Sequence, residues 1–361
     1  MDTTYNLAVN LPPRRATAAL LGETLATGMV TVDDLAYPDP AGAPRVRLAI
    51  AGWMQRAGGH GPVDPALLTL TNGARHALAL ALRPVARMPA AALFVEAQTY
   101  QGIRALARAM DIRCIDVATD EHGMRPDALL EASRGSQARA VYVQPTLHNP
   151  TTATMPLSRR IEIAMVAEQS GLTLIEGDVY SPLAWHGRDA LPPFAVIAPG
   201  RTVHAGGIGK ILGPGLRMGW LLHPDASMQA DSVAAIEREL DGLPAWWPTI
   251  VARWMEDGTA EACLRGVAET MTRRAAMARR VLGSAVVTAG ASLHAWVPHR
   301  HADDLEKRLL GRGVRVAAGN GFVAAAESAQ GVRLALGAEE STERLEAALG
   351  IVARELESQA P

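Results

Sequence analysis

Apolar positions along this 361-residue chain follow two rhythms. Short continuous apolar runs over Ala91–Glu96, Ile112–Val117, Ala138–Val143 and Leu172–Glu176 predict buried strands. Between them apolar residues recur at three- and four-residue intervals, which predicts helices over 102–110, 126–132 and 157–170. The same helical spacing predicts helices over 15–29, 45–57 and 74–82 upstream, and over 225–240 and 255–283 downstream. Alternating strands and helices imply an α/β architecture, a mainly parallel central sheet with helices on both faces. After about Leu282 the pattern changes. Ser292–Val297, Arg315–Ala318 and Gly331–Leu336 predict strands, with a helix over 302–312 and an amphipathic helix from Glu339. That is the pattern of a smaller α+β unit.

Composition narrows the class. The apolar fraction of 48% is ample for a core, and a net charge of −2 gives no electrostatic footprint for nucleic acid. Cys114 and Cys263 cannot form a disulfide framework and read as reduced core residues. The N-terminal MDTTYNLAVNLPP lacks a basic-then-apolar signal pattern, and no apolar run reaches the roughly 18 residues of a membrane span. The expectation is a soluble cytoplasmic protein.

The candidate chemistry centres on His204–Trp220, a glycine-rich apolar run holding Lys210 between Gly209 and Ile211. Burying an ammonium is costly, so a lysine held in apolar surroundings gives up its proton more easily. The neutral amine can then attack a carbonyl and form a Schiff base. Arg217, seven residues on, offers a forked cation suited to phosphate. A nucleophilic lysine beside a phosphate clamp suggests pyridoxal phosphate; taken by spacing alone, the lysine also fits a surface turn.

The run Gly-x-x-Lys-x-Leu-x-Pro-Gly-Leu-Arg-x-Gly resembles the cofactor-lysine signature of fold-type I pyridoxal-phosphate enzymes. Among these the chain is most similar to the aminotransferase-like domain of MocR-type proteins and its free-standing aminotransferase relatives. The likeness extends from about Leu7 to about Leu345. It implies a division into an N-terminal segment, 1–44, that joins the small domain and a dimer arm; a large cofactor-binding domain, 45–282; and a C-terminal small domain, 283–361. MocR-type regulators carry a winged-helix DNA-binding domain ahead of this fold. Here the family-like segment starts within ten residues of Met1, so the expectation is either a stand-alone enzyme or a trimmed chain.

The resemblance assigns roles one residue at a time. Lys210 carries the cofactor as a Schiff base. Gly73, Ala74 and Arg75, at a helix start, hold its phosphate together with Arg217, and Tyr37 reaches the phosphate of the neighbouring subunit in a homodimer with shared sites. Tyr100 stacks on the pyridine ring, although a core tyrosine reads the same way. Asn149 and Tyr180 bond the phenolic oxygen. Arg333 binds a substrate carboxylate, or else faces solvent on the polar side of its strand. Asn10, in the entry strand, lines the substrate side, and Trp246 or Trp247 shapes the pocket or packs an interface. No metal is expected.

Four positions depart from the family. Gly177 stands where an aspartate usually pairs with the pyridine nitrogen, and Asp178 is expected to take over that role. Gly207 and Gly209 replace serines, implying weaker cofactor binding or a roomier pocket, and Thr152 replaces a glycine in the turn after Asn149. The implied activity is an aminotransferase acting on an α-amino acid and a keto acid, with Lys210 moving the Cα proton. Two alternatives stay open: another reaction from the same carbanion (oxidation, elimination or carbon–carbon bond formation), or the ligand-sensing domain of a transcription regulator.

Overall fold

A computed structural model describes residues 4–28, 31–324 and 330–358. Its centre is a seven-stranded sheet in the order Leu68–Asn72, Met218–Leu222, Thr202–Gly207, Thr173–Asp178, Ala140–Val143, Ala92–Glu96, Arg113–Val117. Five of the strands from Thr202–Gly207 onward run parallel to one another. Met218–Leu222 runs antiparallel to both of its neighbours and is the one reversed strand of this sheet, which is mainly parallel as expected.

The inner strands are buried on both faces, which is why they read as unbroken apolar runs. One face packs its Val95, Tyr142, Ile175 and Ala205 against the helix Ala74–Ala86. The other packs Phe94, Val141 and Leu174 against Ile163 and Ala167 of the helix Leu157–Gln169. A third core joins the helices Pro44–Ala57, Trp246–Glu256 and Thr259–Leu282 to the C-terminal elements.

The smaller sheet has the order His294–Pro298, Gly331–Ala335, Ala317–Ala318. The short strand Tyr5–Asn6 pairs in parallel with Val314–Arg315. Leu7 continues the stitching: its N–H donates to the Arg315 carbonyl, and its own carbonyl accepts from the Ala335 N–H, both at 2.7 Å. The chain's first described residues are thereby fixed across its last third, and the backbone of Ala8 to Asn10 is delivered to the carboxyl end of the large sheet.

Several element boundaries differ from expectation for identifiable reasons. The expected helix 255–283 begins later, at Thr259, because Gly258 takes a left-handed conformation (φ 85°) and separates it from a preceding helix, Trp246–Glu256. Pro248 is accommodated in the first turn of that preceding helix, where a missing N–H leaves no bond unmade. The predicted helix over 15–29 ends at Ala26; residue 29 lies outside the described residues.

Candidate active site

A cavity of about 510 Å³ opens at the carboxyl ends of the central strands, between the two sheets. Open α/β sheets place ligands at such ends. Lys210, Arg333, Asn149, Tyr180 and Tyr100 all line it, and so do Ala74 and Arg75. A larger hollow of about 610 Å³ lies between Arg56, Arg188 and Glu261, away from all of these groups.

Lys210 follows the strand Thr202–Gly207 in a tight turn. Its Nζ donates to the Asn10 carbonyl at 2.6 Å and lies 5.9 Å from the centre of the Tyr180 ring. Burial, helped by the positive charge of Arg333, pulls its pKa down to about 8. An appreciable share of the amine is therefore neutral near physiological pH, the form that attacks a carbonyl.

Asn10 organises the surrounding polar groups. Its amide donates to Tyr180 Oη at 2.9 Å and faces His294 Nδ1 at 3.1 Å. His294 Nε2 lies 3.1 Å from the His148 carbonyl, which can only accept, so Nε2 carries the hydrogen and Nδ1 accepts from Asn10. Burial holds the His294 pKa well below the usual histidine range, with Arg333 adding to the effect, and the ring stays neutral. Burial likewise raises the Tyr180 phenol, so its hydroxyl remains a donor. His294 was missed in the sequence; a lone histidine in a short strand carries no signal of such contacts.

Arg333 sits in the middle of Gly331–Ala335 and is buried. It donates to Asn149 Oδ1 at 2.8 Å and to the Ala8 carbonyl at 2.5 Å, and its guanidinium lies 5.1 Å from the Phe322 ring centre. Since Asn149 uses its oxygen on Arg333, its amide hydrogens are the groups left for a ligand.

At the opposite end of the cavity Gly73 (φ 78°) caps the helix Ala74–Ala86, whose first N–H groups have no intrahelical partner. Arg217 takes a left-handed backbone (φ 49°), donates to the Asn72 carbonyl at 2.8 Å and brings its guanidinium to within 3.3 Å of where a Gly73 side chain would begin. Gly219 lets the neighbouring strand press against the helix start: a Cβ there would lie 2.6 Å from Ala74 N. A helix N-terminus with an exposed arginine beside it forms an anion cradle. Tyr100 is set by Gly102, because any side chain at 102 would lie 2.3 Å from its ring.

The cavity thus joins an anion cradle, a lysine of lowered pKa and a buried arginine. The model of the family described as aminotransferase class I and II matches residues 6–352. The chain belongs to that family. An HTH-type transcriptional regulator of Bacillus subtilis, YdeF, is 26% identical over 309 residues, 84% of this chain and 65% of the relative. Aromatic-amino-acid aminotransferase 1 of Thermococcus litoralis is 31% identical over 192 residues, 52% of this chain and 46% of the relative. The chain therefore spans about half to two thirds of the length of these curated relatives. Among solved structures, a Thermus thermophilus α-aminoadipate aminotransferase complexed with N-(5′-phosphopyridoxyl)-L-leucine superimposes with a TM-score of 0.86 at 22% identity, covering 99% of this chain and 92% of the other. No helix among the described residues is long and apolar enough to cross a membrane.

Against this family background the structure corrects three expectations. Asp178 is not at the cavity. Successive strand residues point to opposite faces, and the cavity takes Gly177 and Val179 from this segment while Asp178 lies behind the sheet. There Asp178 Oδ1 accepts from Ser181 N at 3.0 Å, and its carboxyl is pushed up by burial. It shares that space with His60 and with His204, whose ligand atoms all fall within 4.8 Å of one another. His204 is committed to Glu176 at 3.1 Å.

Trp246 does not line the cavity; it is half exposed and packs edge-to-face on Trp247 at 5.9 Å. Nor is the pocket roomier beside Lys210: the space next to Gly209 is filled by Pro214, 3.2 Å from where a side chain would begin. Tyr37 is 90% exposed and outside the cavity of its own chain. Asn10 lines the cavity and spends its amide on Tyr180 and His294.

Proposed function

We propose that this chain is a pyridoxal-phosphate-dependent aminotransferase acting on an α-amino acid and a keto acid. The observation that carries the reading is Lys210, an amine with a pKa near 8 facing the same cavity as a buried arginine and a helix-start anion cradle. The residues fit the cofactor: Ala74 and Arg75 N–H groups with Arg217 suit its phosphate, Tyr100 and Val179 line the walls a flat ring would touch, and Asn149 and Tyr180 offer donors to its phenolic oxygen. When bound, pyridoxal phosphate supplies an aldehyde and an electron-accepting ring.

In this reading Arg333 holds the substrate carboxylate, with Asn149 keeping its fork oriented. Lys210 serves as base and acid at the substrate Cα, its amine kept near the carbonyl of Asn10. Tyr180, fixed by Asn10, keeps its hydroxyl hydrogen directed at the site. Tyr37 completes the phosphate cradle of a second copy, in a cytoplasmic homodimer with small-molecule partners. YdeF, which matches 84% of this chain, is an HTH-type transcriptional regulator, which favours one second reading, a ligand-sensing domain.

The test is to load the purified chain with pyridoxal phosphate and supply a panel of amino acids, then keto acids. An aminotransferase gives a visible cofactor band that an amino acid bleaches and a keto acid restores, with Lys210→Ala losing both. A band that responds to amino acids but never releases a keto acid supports the sensor. No band at all refutes both readings.

A further inference from the structure

Tyr142 stands at the inner wall of the cavity, fully buried, and its hydroxyl has no hydrogen-bond partner among the described residues. Leaving a buried hydroxyl unmatched costs roughly 1–3 kcal/mol. The hydroxyl is aimed at Gly177: a side chain built there would start 2.6 Å from Oη. Tyr142 and any larger residue at 177 therefore exclude one another in this arrangement.

Among the described residues the cavity also lacks an alternative acid. None of its lining residues is an aspartate or glutamate. Glu176 accepts from the N–H groups of Phe194 and Ala195 and from His204. Asp178 faces away with Ser181, and Glu96 lies against His148 at 3.2 Å.

We propose that Tyr142 is this chain's partner for the cofactor's ring nitrogen, donating a hydrogen bond to an unprotonated pyridine. The inference rests on the cofactor reading above. Burial pushes the Tyr142 phenol up, away from ionisation, so it serves as a donor and not as a counter-charge. A phenol holds its proton far more tightly than a pyridinium, and none of the described residues lining the cavity offers a carboxylate to stabilise the charged ring. The proton stays on oxygen. The ring then draws electrons from the substrate less strongly than one carrying a full positive charge, and Tyr142 is a positioning and tuning residue for whatever proton transfer Lys210 conducts.

The experiment loads the full chain, and its Tyr142→Phe variant, with pyridoxal phosphate labelled with nitrogen-15 in the ring. Because the hydroxyl has no partner among the described residues, Tyr142→Phe keeps the fold, which thermal melting verifies. The expected native resonance lies in the neutral, hydrogen-bonded pyridine range. In the variant it moves toward free pyridine, and the cofactor Kd rises about tenfold. A native resonance in the pyridinium range overturns the inference while leaving the cofactor reading intact, as does a variant with unchanged resonance and Kd. A chain that binds no cofactor overturns both.

Discussion

Asn10 and Tyr180 are 170 positions apart in sequence and share a hydrogen bond of 2.9 Å beside the Lys210 amine. The same Asn10 residue holds Nζ through its backbone carbonyl. Side chain and main chain of one residue therefore set both the tyrosine and the lysine.

Replacing Asn10 with Ala separates the two functions. The carbonyl that receives Nζ stays, while the Tyr180 hydroxyl and His294 Nδ1 lose their shared partner. Urea unfolding of Asn10→Ala is expected to show a loss of about 1–3 kcal/mol, with cofactor attachment to Lys210 retained. Unchanged stability would mean that the amide is not the organiser its contacts indicate.

The Lys210 titration has a definite sign. Burial and the Arg333 charge both disfavour the ammonium, so the amine is mostly protonated below a pH of about 8 and mostly neutral above it. Modification of Lys210 in the cofactor-free chain by an amine-selective reagent, followed by mass spectrometry, should rise with a midpoint near that value. Arg333→Gln removes the repelling charge and should shift the profile to higher pH. It should also weaken binding of an amino-acid carboxylate on the order of a hundredfold, since truncating one partner of a buried charged pair costs about 2–5 kcal/mol.

Thr152 has φ 66°, a left-handed conformation that a β-branched residue adopts at a cost, and its hydroxyl is buried without a partner among the described residues. Thr152→Gly removes both burdens. A gain of about 1 kcal/mol in thermal or chemical unfolding is expected. A loss would show that the threonine methyl contributes packing that outweighs the strain.

Much of this cavity could be read from the residues in order. Lys210, Asn149, Tyr180 and Arg333 each sit in or just after a strand, so a local run is enough to locate them, and the structure brings all four to one cavity. Asp178 could not be placed in that way. A single step along a strand reverses the direction of the side chain, and only the pairing of Thr173–Asp178 with its neighbours decides which residue looks inward. Tyr142 was equally hidden, because its meaning depends on the absence of a side chain 35 positions later. Among the strands, Leu68–Asn72, Thr202–Gly207 and Met218–Leu222 escaped notice. Threonines, glycines and His204 interrupt their apolar pattern, although most of these positions are buried in the sheet. Trp246–Glu256 was concealed by Pro248, which looks like a break until the helix start is known.

The pairing of Tyr5–Asn6 with Val314–Arg315 gives the front of the chain a mechanical significance. Thr4 is six residues from the carbonyl that receives the lysine amine, and the intervening segment is anchored to the small sheet through Leu7. A displacement of that sheet would be carried outward along this short tether, so a probe placed at Thr4 would report on the geometry of a cavity it never touches.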